Sequence, residues 1–161
     1  MFQIRAAFNE QLDVRASVER AREFFADLRN FAELMPGVER ITNDAEGVAR
    51  WLIRADVPVI GAMRQAFAVE QSIDAPARIE WTPVPAERKN LLRYSAAFLE
   101  RGSEWTRVLI EQRVELRRQA ARELHMLAGL LGESRLSAEL QKGVSQMMRT
   151  FLERARAKLE R

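Results

Sequence analysis

The sequence predicts an α+β fold: an antiparallel sheet of about seven strands, two short helices after the first strand, and a long C-terminal helix laid over one face of the sheet. Three observations carry this expectation. Apolar residues alternate at period two through most of the chain from Phe2 to Leu116. Residues 18–34 interrupt that alternation and place apolar side chains every three or four positions. From Leu136 to Leu159 an apolar stripe at helical spacing runs beside a charged one.

The elements follow in order. Phe2, Ile4, Ala6, Phe8, Leu12 and Val14 share one parity and make the first strand. Ser17 is the predicted N-cap of a helix from Val18, and Glu19 suits the positive end of its dipole. That helix buries Ala21, Phe24, Phe25 and Leu28 and turns near Asn30. A second short helix presents Phe31 and Leu34 and is stopped by Pro36, whose ring holds Met35 in extended geometry. Gly37 gives the chain freedom to reverse. Turn signals then arrive regularly as "NDAEG", "VPVIGA", "DAPA", "VPAERKN" and "ERGSE". They delimit strands at Val38–Thr42, Val48–Val57, Met63–Ile73, Arg78–Thr82, Leu91–Glu100 and Trp105–Leu116. Proline occurs only at turns or strand ends, where a missing N–H costs no ladder bond. On the final helix Leu136, Leu140, Val144, Met147, Met148, Phe151, Leu152, Ala155 and Leu159 form the apolar stripe. No repeat, low-complexity run or linker divides residues 1–161, which are read as one domain.

Parity sorts the side chains of the five strands from Val48 onward. Trp51, Ile53, Ala55, Val57, Met63, Gln65, Phe67, Val69, Ile73, Ile79 and Trp81 fall on one face. Leu92, Tyr94, Ala96, Phe98, Thr106, Val108, Ile110, Gln112, Val114 and Leu116 join them. Arg50, Arg54, Asp56, Arg64, Glu70, Glu80, Arg93, Glu100, Arg107, Glu111, Arg113 and Glu115 fall on the other. A sheet with one dry face needs an apolar cover, and the C-terminal stripe supplies it.

Composition excludes several chemistries. The charge balance of 26 Lys and Arg against 23 Asp and Glu leaves +3 with the signs interspersed, unlike a concentrated nucleic-acid surface. There is no cysteine, hence no disulfide, thiolate metal site or cysteine nucleophile. The single histidine, His125, gives no cluster for zinc, and no cofactor or metal is expected. The opening residues lack a secretory pattern, and no stretch approaches the roughly 20 apolar residues of a spanning helix. The expected setting is the cytoplasm.

The stretch "ASVERAREFFADLRNFAELMPGVERI" resembles the helical hairpin of the START/SRPBCC superfamily, which includes the birch-pollen allergens and the polyketide cyclase/dehydrase-like proteins. Over shorter stretches, "MPGVERI" and "LHMLAGLLGE" resemble proteins like the G-type subunit of carbon monoxide dehydrogenase. The resemblance implies the helix-grip fold, a curved antiparallel sheet with the long C-terminal helix packed on its concave face. It also implies a cavity between sheet and helix for a small hydrophobic guest such as a lipid, polyketide or quinone-like compound. The hairpin is expected to close one end of that cavity.

The candidate ligand-binding residues are Trp51, Gln65, Phe67, Trp81, Tyr94, Phe98, Gln112, Met147 and Met148. Aromatic walls with adaptable thioethers suit flat apolar guests, although the same residues serve equally to fill a core. Gln65, Gln71, Tyr94, Thr106 and Gln112 are the inward polar groups. Parity puts no charged residue clearly on the dry face, with Glu10 the one exception, so binding is expected ahead of catalysis. The enzymatic alternative is a cyclase or dehydratase in which Tyr94, with Gln65 or Gln112, polarises a carbonyl. Residues 120–134 carry Leu124, Leu127, Leu130 and Leu131 at helical spacing beside Gly129 and Gly132. They are read as the first turn of the final helix, a lid, or a patch for a membrane or protein complex.

Overall fold

A computed structural model describes residues 1–161. The chain forms β1 (Phe2–Val14), α1 (Val18–Ala26), α2 (Leu28–Leu34), β2 (Val38–Asn43), β3 (Val48–Val57), β4 (Gly61–Ala75), β5 (Arg78–Pro83), β6 (Asn90–Gly102) and β7 (Trp105–Arg118), then a 3-10 turn at Ala121–Glu123 and α3 (Ala128–Leu159). All strands pair antiparallel in one sheet of order β1-β7-β6-β5-β4-β3-β2. The meander is as predicted, and β1 adds to its last strand.

Local chemistry sets the boundaries. The Ser17 hydroxyl accepts from the Arg20 amide at 3.2 Å and starts α1. The predicted turn near Asn30 lies instead at Asp27, which is the C-cap of α1 and whose carboxylate accepts from the Arg29 amide as N-cap of α2. Leu28 therefore belongs to the second helix. Buried Asn30 donates back to the Phe24 carbonyl at 2.9 Å and ties the two helices together. Gly37 has φ +88°, and a Cβ there would lie 2.8 Å from the Arg54 carbonyl oxygen and 3.1 Å from Met147 Cε. Only glycine fits that close approach.

The two faces separate as parity predicts, except at a bulge. Between Gln71 and Ile73 the register of β4 shifts, so that Ile73 opposes Glu80 and Asp74 opposes Ile79. The expected inward place of Ile73 is thereby lost, because an extra residue inverts the alternation beyond it. Asp74 instead reaches Arg22 of α1. Gln71 is exposed, and so is Glu10 despite its parity. Thr106 is fully buried and donates to the Ala16 carbonyl at 2.8 Å.

Helix α3 covers the concave face with Leu136, Val144, Met148, Phe151, Leu152, Ala155 and Leu159 buried. Each large apolar side chain so buried contributes roughly 1.5–3 kcal/mol. The helix also seals the first part of the outer edge of β1: the amides of Gln3, Arg5 and Ala7 donate to Glu133, Ser137 and Gln141. Those three acceptors recur every fourth residue, one helical face laid along one strand. Gly132, at φ 78° and ψ 167°, breaks the helix near its start. The basic residues of the last turns are engaged with the hairpin and β1. Arg154 donates to the Leu34 carbonyl, Arg156 to that of Asp13, and Lys158 to Asn30.

Candidate functional site

The space between sheet and helix is divided. Phe31, fully buried on α2, stacks on Phe151 at 4.4 Å and meets Tyr94 and Trp51 edge-on at 4.9 and 5.5 Å. Phe25 of α1 packs on Phe98 and Phe151, each at 6.2 Å. These rings fill the half of the concave face beneath the hairpin. The other half is hollow.

The hollow has a volume of about 510 Å³ and is walled by Ile4, Ile53, Val57, Met63, Phe67, Val114, Leu116, Leu136, Leu140, Val144 and Met147. That size lies within the ordinary range for small-molecule sites, about 300–1,000 Å³. Pro36 and Gly37, at the hairpin exit, close one side. The mouth carries Arg54, Asp56, Glu139, Gln146, Thr150 and Arg154. Charges there are locally matched: Arg54 pairs with Asp56 at 3.3 Å and Lys142 with Glu139 at 3.4 Å. A depression of about 450 Å³ on the convex face, lined by Asn9, Gln11, Arg78, Ser95 and Glu111 among others, is wide open and polar. It offers an apolar guest no enclosure.

Of the nine residues predicted from sequence, Gln65, Phe67, Gln112 and Met147 line the cavity. Trp51, Tyr94, Phe98 and Met148 do not: they are buried in the solid half. Trp81 is half-buried against the same core and also lies off the cavity wall. The physical reason is Phe31, whose ring occupies the space that parity alone left to a guest. The Trp51 and Trp81 indole N–H groups are enclosed without a protein hydrogen-bond partner, at a cost of about 1–3 kcal/mol each.

Tyr94 stands opposite Gln112 in the strand register, yet its hydroxyl lies 3.5 Å from the Phe25 carbonyl. Burial raises its pKa well above that of an ordinary phenol. The expected partnership of Tyr94 with Gln65 or Gln112 at a carbonyl therefore has no geometric basis, and the two amides stand without it. Gln112 is 4% exposed, lines the cavity, and has no protein partner for its side chain.

A residue outside the predicted strands adjoins the site. β7 extends to Arg118, two positions beyond the predicted end, which gives Arg118 the parity of Gln112 and Leu116. Its guanidinium bonds Gln65 and Asn90. Burial pulls its pKa below the usual arginine value, though an arginine stays charged. Extending the alternation through "ELRR" would have found it.

The leucine-rich segment is mixed. Leu124 and Leu131 pack against the core, Leu127 is half-buried, and Leu130 and Met126 are 76% and 81% exposed. His125 accepts from the Leu127 amide at 3.0 Å, a turn-forming role. No helix of the chain is long and apolar enough to cross a membrane.

No protein-family model matches the sequence, and neither does any curated protein. Solved structures do match. The Zhui aromatase/cyclase from Streptomyces sp. R1128 is 16% identical, with 97% of this chain and 96% of that one covered at a TM-score of 0.64. The di-domain ARO/CYC StfQ of the steffimycin biosynthetic pathway is 15% identical, with 97% of this chain over 51% of that one at a TM-score of 0.62. A START superfamily protein from Mycobacterium smegmatis is 12% identical, with coverage of 89% and 97% and a TM-score of 0.52. The architecture is thus the helix-grip fold that these solved structures share.

Proposed function

We propose that this helix-grip protein binds a small, largely apolar molecule of polyketide-like character in the cavity between β3, β4, β7, β1 and α3. The carrying observation is the cavity itself: an apolar wall interrupted by Gln65 and Gln112, whose ionisable lining residues, Arg54, Asp56, Glu139 and Arg154, all reach solvent. Such a lining desolvates rings and orients an oxygen function. The test uses the neutral fluorophore N-phenyl-1-naphthylamine. Its emission is expected to rise on binding to the wild type, and Leu140→Trp, which fills the cavity, is expected to weaken binding at least about tenfold. No rise with the wild type, or equal binding by the variant, overturns the reading.

A cyclase or aromatase activity is the second reading, and the aromatase/cyclase neighbours support it over a passive carrier. On this reading the cavity folds a flexible poly-β-ketone, and the amides donate to the carbonyl oxygen on which charge develops. A linear poly-β-ketone should then yield aromatic product faster than in buffer, and Gln112→Leu should slow that conversion. No acceleration by the wild type removes the enzymatic reading and leaves binding alone. Contact of the Leu130 region with a membrane or protein complex is a separate proposal, which rests on that residue's exposure.

A further inference from the structure

We propose that Arg118 and Asn90 lock the Gln65 amide with its N–H donors free for the cavity, so that the site prefers an apolar guest bearing a hydrogen-bond acceptor over the matching hydrocarbon. The inference rests on the reading of the cavity as a guest site.

The lock is a closed set of bonds. Gln65 Oε1 accepts from Arg118 Nη2 at 3.1 Å and from Asn90 Nδ2 at 3.0 Å. Asn90 is itself fixed, donating to the Ala66 carbonyl at 2.9 Å and accepting from Arg118 at 2.8 Å. Arg118 is anchored through Nη1 to the carbonyls of Lys89 and Arg117 at 3.2 and 2.8 Å. A guanidinium has donors only. Rotating the Gln65 amide by half a turn would set its NH2 against two donors, so the chemistry of the neighbours dictates which atom is oxygen. Nε2 is then directed away from Arg118, on a residue of the cavity wall, with no protein acceptor.

Charge adds to the effect. Arg118 makes no direct salt bridge, and Glu87 and Glu123 partly offset its charge from a distance. Its charged hydrogen bond to Gln65 Oε1 polarises the amide and strengthens its free N–H groups as donors. Gln112 differs. Buried and without a protein partner, it is free to present oxygen or nitrogen and so discriminates little between guests. Arg118 is therefore a positioning residue that acts through Gln65, and a ring carbonyl is the guest feature it selects.

Fluorene, 9-fluorenone and 9-fluorenol share one skeleton and make the test. The wild type is expected to bind fluorenone about tenfold more tightly than fluorene. In Gln65→Glu the carboxylate keeps the Arg118 contact but has no donor, so the preference should vanish while fluorene affinity holds. Arg118→Met removes one of the two donors that hold Gln65 Oε1 and leaves Asn90 to hold it alone, so it should shrink the fluorenone preference and improve fluorenol relative to fluorenone. The carbonyl stretching band of bound fluorenone should lie at lower frequency in the wild type than in Gln65→Glu. Retention of the preference in Gln65→Glu, or its loss in Gln112→Leu alone, overturns the proposal. Should Arg118→Met fail to fold, Gln65→Glu decides. Failure of all three probes to bind the wild type rejects the cavity reading and this inference with it, whereas equal binding of fluorene and fluorenone rejects only the inference.

Discussion

Asp27 ends one helix and begins the next, so a single carboxylate holds the hairpin in its bent form. The hydrogen bond from the Arg29 side chain, helped by the Arg29 amide, lowers its pKa below the ordinary aspartate value. A carboxylate depressed in the folded state contributes stability above its unfolded pKa and loses it as pH falls through the lowered value. Asp27→Ala should therefore destabilise the protein by about 1 kcal/mol near neutrality. The difference from wild type should shrink in acid below the normal aspartate range, as denaturant titrations across pH would show. This double role was hidden in the sequence. "FFADLRNF" reads as one continuous periodic run, and a cap inside such a run leaves no break in its spacing.

At the scale of elements, α3 has a second task besides covering the sheet. Gln141 accepts from the Ala7 amide at 2.9 Å and donates to the Ala7 carbonyl at 2.7 Å, as a neighbouring strand would. Gln141→Leu should cost about 1–2 kcal/mol, and hydrogen exchange of the Ala7 amide should accelerate more than that of amides deep in β7. Period-two parity placed nearly every side chain of the meander on its observed face. It failed where a strand was irregular or longer than its apolar run. The β4 bulge turned Ile73 away and Asp74 toward α1. The polar ending of β7 concealed Arg118, because charged residues at a strand end read as a turn.

Across the whole molecule, one face of the sheet is half solid and half hollow, and stability and binding should respond to different residues. Phe31→Ala removes the ring around which Phe151, Tyr94 and Trp51 pack, and should cost about 3–5 kcal/mol. Met147→Ala, at a wall that already borders empty space, should cost much less while altering probe affinity. Thermal melts with matched binding titrations check the contrast, and equal losses of stability would contradict it. The sequence made the dry face legible but not its division. Apolar patterning identifies which residues are shielded from water, and it is silent on whether a ring or a guest does the shielding. Four of the nine expected lining residues consequently sit in packed core.

The sealed margin of β1 also bears on self-association. A sheet grows by edge pairing only where an unpaired edge is offered, and along Gln3–Ala7 the helix side chains have taken those amides. The remaining outer strand, β2, is short and largely polar. Two copies could meet there back to back, whereas the Gln3–Ala7 stretch of β1 has no free amide to offer a third.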